Sequence, residues 1–179
     1  TQSLAIHLVE PAVAVGANVV TSELVGNGGL YDISAGGEIT IDVSYFTVDP
    51  GYNSSHGYYV ADQDGNPMEG MIIEDNVKEL GDHNVTFNTN DYPGGVTLGF
   101  FIIPNGDSKN TQLQGGEVVT FEQINGVWTP MLDGVALVGA QAAPAYFSNS
   151  ALNSDGFDHM KDSAWQGNQN WEDLYNGGD

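Results

Sequence analysis

The sequence predicts an all-β chain: an antiparallel β-sandwich with long loops and few short helical turns. Short apolar or alternating runs recur along its 179 residues, clusters of Gly, Asn, Asp and Pro separate them, and helical periodicity is scarce. With 40% hydrophobic residues, including seven Phe, eight Tyr and three Trp, the chain can bury a core. No linker-like shift in composition divides it, so a single domain over 1–179 is expected.

In chain order, Ala12 to Leu24 has room for a helical turn or two, although Gly16 and its small neighbours argue against a long helix. Ile39 to Val48 is a clear strand. Its alternation directs Ile39, Ile41, Val43 and Tyr45 toward the core and leaves the opposite face polar. Gly57 to Ala61, Gly70 to Glu74 and Asn84 to Phe87 follow as shorter runs. Between the first two of these, Asp62-Gln63-Asp64-Gly65-Asn66 reads most simply as a hairpin with an Asp-Gly turn. Val96 to Ile103 is continuously apolar, the pattern of a strand covered on both faces at the centre of a sheet. Asn105-Gly106-Asp107 then turns the chain, and Glu117 to Glu122 and Gly126 to Leu132 complete the strand-like runs.

Phe147 to Leu152 can hold a further helical turn. From about Ala145 the texture becomes dense in Asn, Asp, Gly and Trp. Phe157, Trp165, Trp171 and Tyr175 bring too much aromatic surface for a tail that buries nothing, so this segment is expected to fold back.

The charge is extreme. Twenty-four carboxylates face three lysines and no arginine, a net charge of −21, which destabilises a compact state by self-repulsion unless a cation intervenes. Ordinary nucleic-acid binding is excluded, because its dominant counterion-release contribution needs basic clusters, and anionic membrane surfaces are excluded likewise. Cysteine is absent, so disulfides, thiolate metal sites and cysteine nucleophiles are excluded. The apolar stretch Leu4 to Val20 is interrupted by His7, Glu10 and Pro11, which fits neither a spanning helix nor a signal peptide. The sequence begins at Thr1 without a methionine and is expected to be a segment of a longer polypeptide.

Calcium is the expected counter-charge. It takes six to eight oxygen ligands from carboxylates, carbonyls and water, delivered by loops whose small residues let the backbone curl around the ion. Asn153-Ser154-Asp155-Gly156-Phe157-Asp158-His159 has this chemistry, as does the run from Asn170 to Asp179 with Glu172, Asp173 and a Gly-Gly-Asp end. Plain turns are the alternative, but they leave the charge unbalanced. Asp62 and Asp64 begin like an EF-hand loop, yet Pro67 sits where that template needs Gly and Ile73 where it needs an acid. A peripheral ion at Asp62 and Asp64, or at Asp107, is the lesser expectation there. His7, His56, His83 and His159 show no zinc spacing, and no nucleophile elbow, phosphate loop or dinucleotide fingerprint occurs. An enzyme is not expected.

Several strings together resemble a known family. They are His56 to Asn66, Leu98 to Gly106, Tyr146-Phe147-Ser148 with Leu152 to His159, and Asn170 to Leu174 with Gly177-Gly178-Asp179. In this order, over roughly residues 50 to 179, they are similar to the DUF4114-type domain of bacterial RTX adhesins, also called the peptide-binding domain. Family members carry further Asp and Asn-Asp residues after the Gly-Gly-Asp, where this sequence ends.

The resemblance implies a β-sandwich loaded with several calcium ions near the ligand-binding end of a long extracellular protein on the bacterial cell surface. Such domains bind short peptides, including free C-termini, on other cells, in adhesion and biofilm formation. Glu172, Asp173 and Asp179 match the family's acids, and Asp155 matches the acid of its Asn-x-Asp-Gly loop. Asp158, Asp62, Asp64 and Asp107 complete the set of candidate metal ligands. Tyr58, Tyr59, Trp165, Trp171, Tyr175 and Asn176 are candidates for a ligand pocket, with core packing the competing reading for Tyr59 and Trp171. The chain is expected to be monomeric within a multidomain protein and not inserted in a membrane. A calcium-dependent lectin is the chief rival, since sugar hydroxyls also displace calcium-bound water, and a purely structural spacer is the third reading.

Overall fold

The computed structural model describes residues 2–9, 22–25, 29–33, 38–48, 52–79, 81–140, 143–162 and 168–171. Within these ranges, side chains at 2–9, 22–25, 38–48, 84, 161–162 and 168–170 lie outside the description. The described chain is antiparallel β-structure. Its strands are β1 (Gln2–Val9), β2 (Ser22–Val25), β3 (Leu30–Ile33), β4 (Glu38–Val48), β5 (Ser55–Ala61), β6 (Pro67–Glu74) and β7 (Gly81–Asn88). After these come β8 (Val96–Ile103), β9 (Val118–Ile124), β10 (Val127–Leu132), β11 (Val135–Ala136), β12 (Tyr146–Phe147), β13 (Met160–Asp162) and β14 (Asn168–Trp171). Among the described residues, helix is confined to one turn, α1 (Gly106–Lys109), and to 3-10 turns at Thr89–Asp91 and Ser150–Leu152. The all-β expectation holds. Among the described residues no helix is long and apolar enough to cross a membrane.

The strands form two sheets. One runs β13-β14-β1-β4-β7; the other, of nine strands, runs β11-β10-β9-β6-β5-β8-β3-β2, with β12 also paired to β8. The unbroken apolar run of β8 takes the central position its sequence predicts, between β5 on one side and β3 and β12 on the other. Successive residues of a strand point to opposite faces. Leu98, Phe100 and Ile102 therefore join one cluster with Tyr58 and Val60 of β5, while Phe101 and Ile103 join a second with Tyr59 and Ala61. Each such buried aromatic or branched side chain contributes about 1.5–3 kcal/mol.

The first cluster also contains Phe87, Met160 and Trp171, which belong to the five-stranded sheet, so the two sheets meet across it. The second is closed by Val119 and Phe121 of β9 and by Leu113, Leu137 and Leu152 from loops. Tyr59 and Gly99 stand opposite each other in the β5–β8 ladder, and a Cβ on Gly99 would lie 2.1 Å from the Tyr59 ring. Only glycine lets that ring lie across the neighbouring strand.

The strand predicted at Ile39 to Val48 forms as β4. Its register sets Ile39 opposite Phe87 and Ile41 opposite Val85, both of which pack in or against the first cluster. The β4 side chains themselves lie outside the described residues. The helical turn expected within Ala12 to Leu24 is corrected at its end, because residues 22–25 form β2 in a ladder with β3; residues 12–21 are not described. Ser-Glu-Leu-Val has no strong helical preference, and strand pairing decides its conformation. Beyond Ala145 the chain does fold back: β12 joins β8, and Trp171, 1% exposed, lies in the first cluster.

Candidate functional site

The acidic string 153–159 is a rigid loop anchored from both ends. After β12, the Asn149 side chain caps the 3-10 turn Ser150–Leu152 by accepting the Ala151 N–H at 3.2 Å. Asn153 follows and is buried. Its Oδ1 accepts the Phe147 N–H at 2.7 Å, and its Nδ2 donates to the carbonyls of Phe147 at 3.2 Å and Phe157 at 2.9 Å. The Gly156 N–H closes the turn on the Asn153 carbonyl at 3.1 Å.

At the far end, His159 is buried and stacks on Tyr146 with ring centroids 3.6 Å apart. Its Nε2 lies 2.8 Å from Oδ2 of Asp155, whose Oδ1 accepts the Phe157 N–H at 3.2 Å. A carboxylate withdrawn from water requires such donors, and the imidazole supplies one without leaving its stack. Asp158 remains exposed.

The β13–β14 ladder sets the end of this loop beside the end of β14. Met160 is the register partner of Trp171. The chain thus enters β13 from Asp158-His159 at the same end of the ladder where it leaves β14 toward Glu172-Asp173. Glu172, Asp173, Asp179, Trp165, Tyr175 and Asn176 themselves lie outside the described residues. Carboxylate oxygens are the donors that calcium takes: Asp158 offers an exposed one, whereas the Asp155 side chain is buried with its oxygens bonded to Phe157 and His159. Among the described residues no group of three acids or histidines is close enough to hold an ion.

The other acids proposed from sequence bond within other turns, and the Asp62 hairpin meets the turn before this loop, where Asn149 Nδ2 donates to the Gly65 carbonyl at 3.3 Å. Asp62 turns its carboxylate onto its own hairpin, with Oδ1 accepting the N–H groups of Asp64 and Asn66, both at 2.8 Å, and Oδ2 accepting Asn66 Nδ2 at 3.1 Å. These bonds, that from the Asn66 backbone first, hold its carboxyl below the usual range. Gly65, at φ +82, takes the left-handed position that closes the turn, as the hairpin reading anticipates. Asp64 is exposed. Asp107, in α1, accepts Asn76 Nδ2 at 3.3 Å, joining the β6–β7 connection to the end of β8.

Three aromatics assigned to a ligand pocket are core residues, which corrects that assignment. Tyr58 is 6% exposed and meets Phe87 edge-on, and burial, followed by the nearby Tyr92 and Glu69, pushes its hydroxyl up to about 12. Tyr59 is fully buried, and Trp171 meets His56 edge-on at 5.7 Å. Every residue of β5 is buried, since both faces of that strand are covered. Sequence reasoning left Asn153 and His159 out of the site although both lie in its string. Their signal is spacing: His159 follows Asp155 by four residues, which is the reach of the bond that closes the loop.

Comparison of the chain with family models, with curated proteins and with solved structures returns no match.

Proposed function

We propose that this chain is a calcium-dependent ligand-binding module of a bacterial cell-surface RTX adhesin, taking short peptides on other cells by their C-terminal carboxylate. The carrying observation is the ladder register that brings the Asp155-Asp158 loop and the approach to Glu172-Asp173 to one end of β13 and β14. The resemblance of four ordered strings supports the same reading. So does the charge: at −21 the protein alone repels an anionic peptide end, and only a cation at the surface reverses that sign.

The chain's own residues do the positioning. Asn153, His159 and the buried Asp155 carboxylate fix the loop, and Asp158 adds an exposed carboxylate. Calcium, when bound, supplies positive charge and coordination positions where a carboxylate can replace water.

The test is a binding titration of short peptides with free or amidated C-termini, in millimolar calcium and after chelation. Free-carboxylate peptides bind only with calcium, and amidated ones lose affinity. Equal binding of the two peptide forms, or binding that survives chelation with the fold intact, would falsify the proposal. Competition by glucose or fucose without any peptide effect moves the function to the lectin reading.

A further inference from the structure

The smaller sheet stops short of the larger one. At one margin a Cβ on Gly29, which adjoins β3, would meet Met160 of β13. At the other, Phe87 of β7 meets Tyr58 of β5 edge-on, and His83 Nδ1 of β7 lies 2.7 Å from Oε2 of Glu74 in β6. The five-stranded sheet therefore ends with β7 over β5 and β6, and β9, which pairs with β6 on the side away from β5, extends beyond it. Val118 of β9 is the register partner of Met71 in β6 and shares its face. Met71 packs against the inter-sheet cluster, so that face is the one turned toward the smaller sheet. Val118 is nevertheless 57% exposed.

The cluster itself is open along the same margin. Among the described residues its partly buried apolar members are Met71, Val85 of β7 and Tyr92 shortly after β7. Tyr92 stacks on Phe87 and donates its hydroxyl to Glu69 at 3.3 Å, which closes one end of the opening. The His83–Glu74 pair closes the other. Along this opening runs β7, an edge strand of eight residues, whereas the other edges, β13, β11 and β2, have three, two and four. It carries no proline or lysine, and its ladder with β4 runs without a register shift, so the length, residues and bulges that blunt an edge are lacking. Every second residue of such a strand directs its N–H and C=O away from the sheet.

We propose that this margin accepts an extended segment of a partner polypeptide as a further strand beside β7, its inward side chains apolar and its outward ones basic. An added strand would lie about 4.8 Å beyond β7 and about 10 Å above β9, where its inward side chains cover Met71, Val85 and Val118. Main-chain bonds supply affinity in this mode, and the seats for alternate side chains supply specificity. The sign of the outward side chains follows from the charge. Asp82 is exposed on β7, β4 and β7 together carry Glu38, Asp42 and Asp82 with no lysine, and the whole chain stands at −21. The same charge opposes a second copy of this chain as the occupant. This surface requires neither calcium nor a free C-terminus and stands apart from the function proposed above.

The test is a titration of the protein in millimolar calcium with the peptide Lys-Val-Lys-Val-Lys-Val-Lys, read by amide NMR shifts and hydrogen exchange. Capping both peptide ends withholds the carboxylate that the calcium site takes. The peptide is expected to protect β7 amides and to shift Val118. Two counterparts are expected to bind at least about tenfold more weakly: one with proline for the central valine, which keeps the charge but breaks the ladder, and one with glutamate for every lysine. Val118→Asn, at an exposed position, is expected to weaken the lysine peptide about fivefold to tenfold with the melting temperature unchanged. Equal binding of either counterpart, binding without change at β7 amides, or a folded Val118→Asn variant of undiminished affinity each overturns the assignment. A peptide-free protein that sediments as a dimer, and returns to monomer on adding the lysine peptide, gives the edge to a second copy and overturns it likewise. Should Val118→Asn unfold, the peptide arms decide alone.

Discussion

Asn153 pairs with the backbone of Phe147 in both directions, its Oδ1 accepting the Phe147 amide at 2.7 Å and its Nδ2 donating to the Phe147 carbonyl at 3.2 Å. A side-chain amide thereby does what a neighbouring strand does, satisfying both peptide groups of a residue in β12, which is two residues long. Its third bond, to the Phe157 carbonyl, ties the acidic loop to that strand.

Asn153→Leu, similar in volume but unable to bond, leaves the Phe147 amide and two carbonyls without this partner. We expect a loss of about 2–4 kcal/mol, from the cost of burying unsatisfied polar groups. Urea denaturation checks it: the midpoint should fall while the slope stays unchanged.

Gly99→Ala places a methyl group within the Tyr59 ring, at 2.1 Å from its nearest atom. A cost of about 1–3 kcal/mol is expected from overpacking. Combined with Tyr59→Leu, the same change should cost much less, so a double-mutant cycle should return a coupling energy rather than simple addition.

His56 makes the fold acid-sensitive. It is buried, stacked on Phe100, and burial pushes its pKa from 6.5 down to about 3. Between those values the unfolded chain binds the proton and the folded chain does not. Stability therefore falls as pH drops from 6.5 toward 3, by up to about 5 kcal/mol, and changes no further below. Glu74, raised by burial, acts in the opposite sense above the ordinary carboxylate range, losing stability as pH rises. His56→Leu isolates the histidine: measured against its own value above pH 6.5, the variant should lose less stability than the parent as pH drops toward 3.

Asp158→Ala separates ion binding from folding. The carboxylate is exposed, so its removal should leave the melting temperature in chelator unchanged. Calcium affinity, read by isothermal titration, should fall about tenfold or more as the local ligand charge drops. An unchanged affinity would remove Asp158 from the coordinating set.

The sequence was most legible where a strand carries a clear apolar pattern. The unbroken apolar run Val96 to Ile103 announces the centre of the sheet, and the alternating Ile39 to Phe46 announces β4. It was least legible where the ladder, not the side chains, makes the strand. β14 reads Asn-Gln-Asn-Trp, with no hydrophobic period, and is extended because β1 and β13 flank it. Within the site, the Asn153 to His159 string was recognisable by composition. The bonds that make it a loop join residues to Phe147 and Tyr146, and such pairing is decided by tertiary packing. Tyr58 and Tyr59, both pocket candidates by sequence, are buried for a related reason: β5 is covered on both faces.

The ladder between β1 and β14 sets Gln2 beside Trp171. A pull applied between those two residues loads the pairing at its edge, so its rungs break in succession instead of sharing the load as strands drawn past each other would. Peeling of this kind also withdraws Trp171 from His56 and strips β13 of its partner. Mechanical tension along that axis would therefore dismantle the acidic loop's support early, while β5 and β8, buried in the middle of the other sheet, still hold.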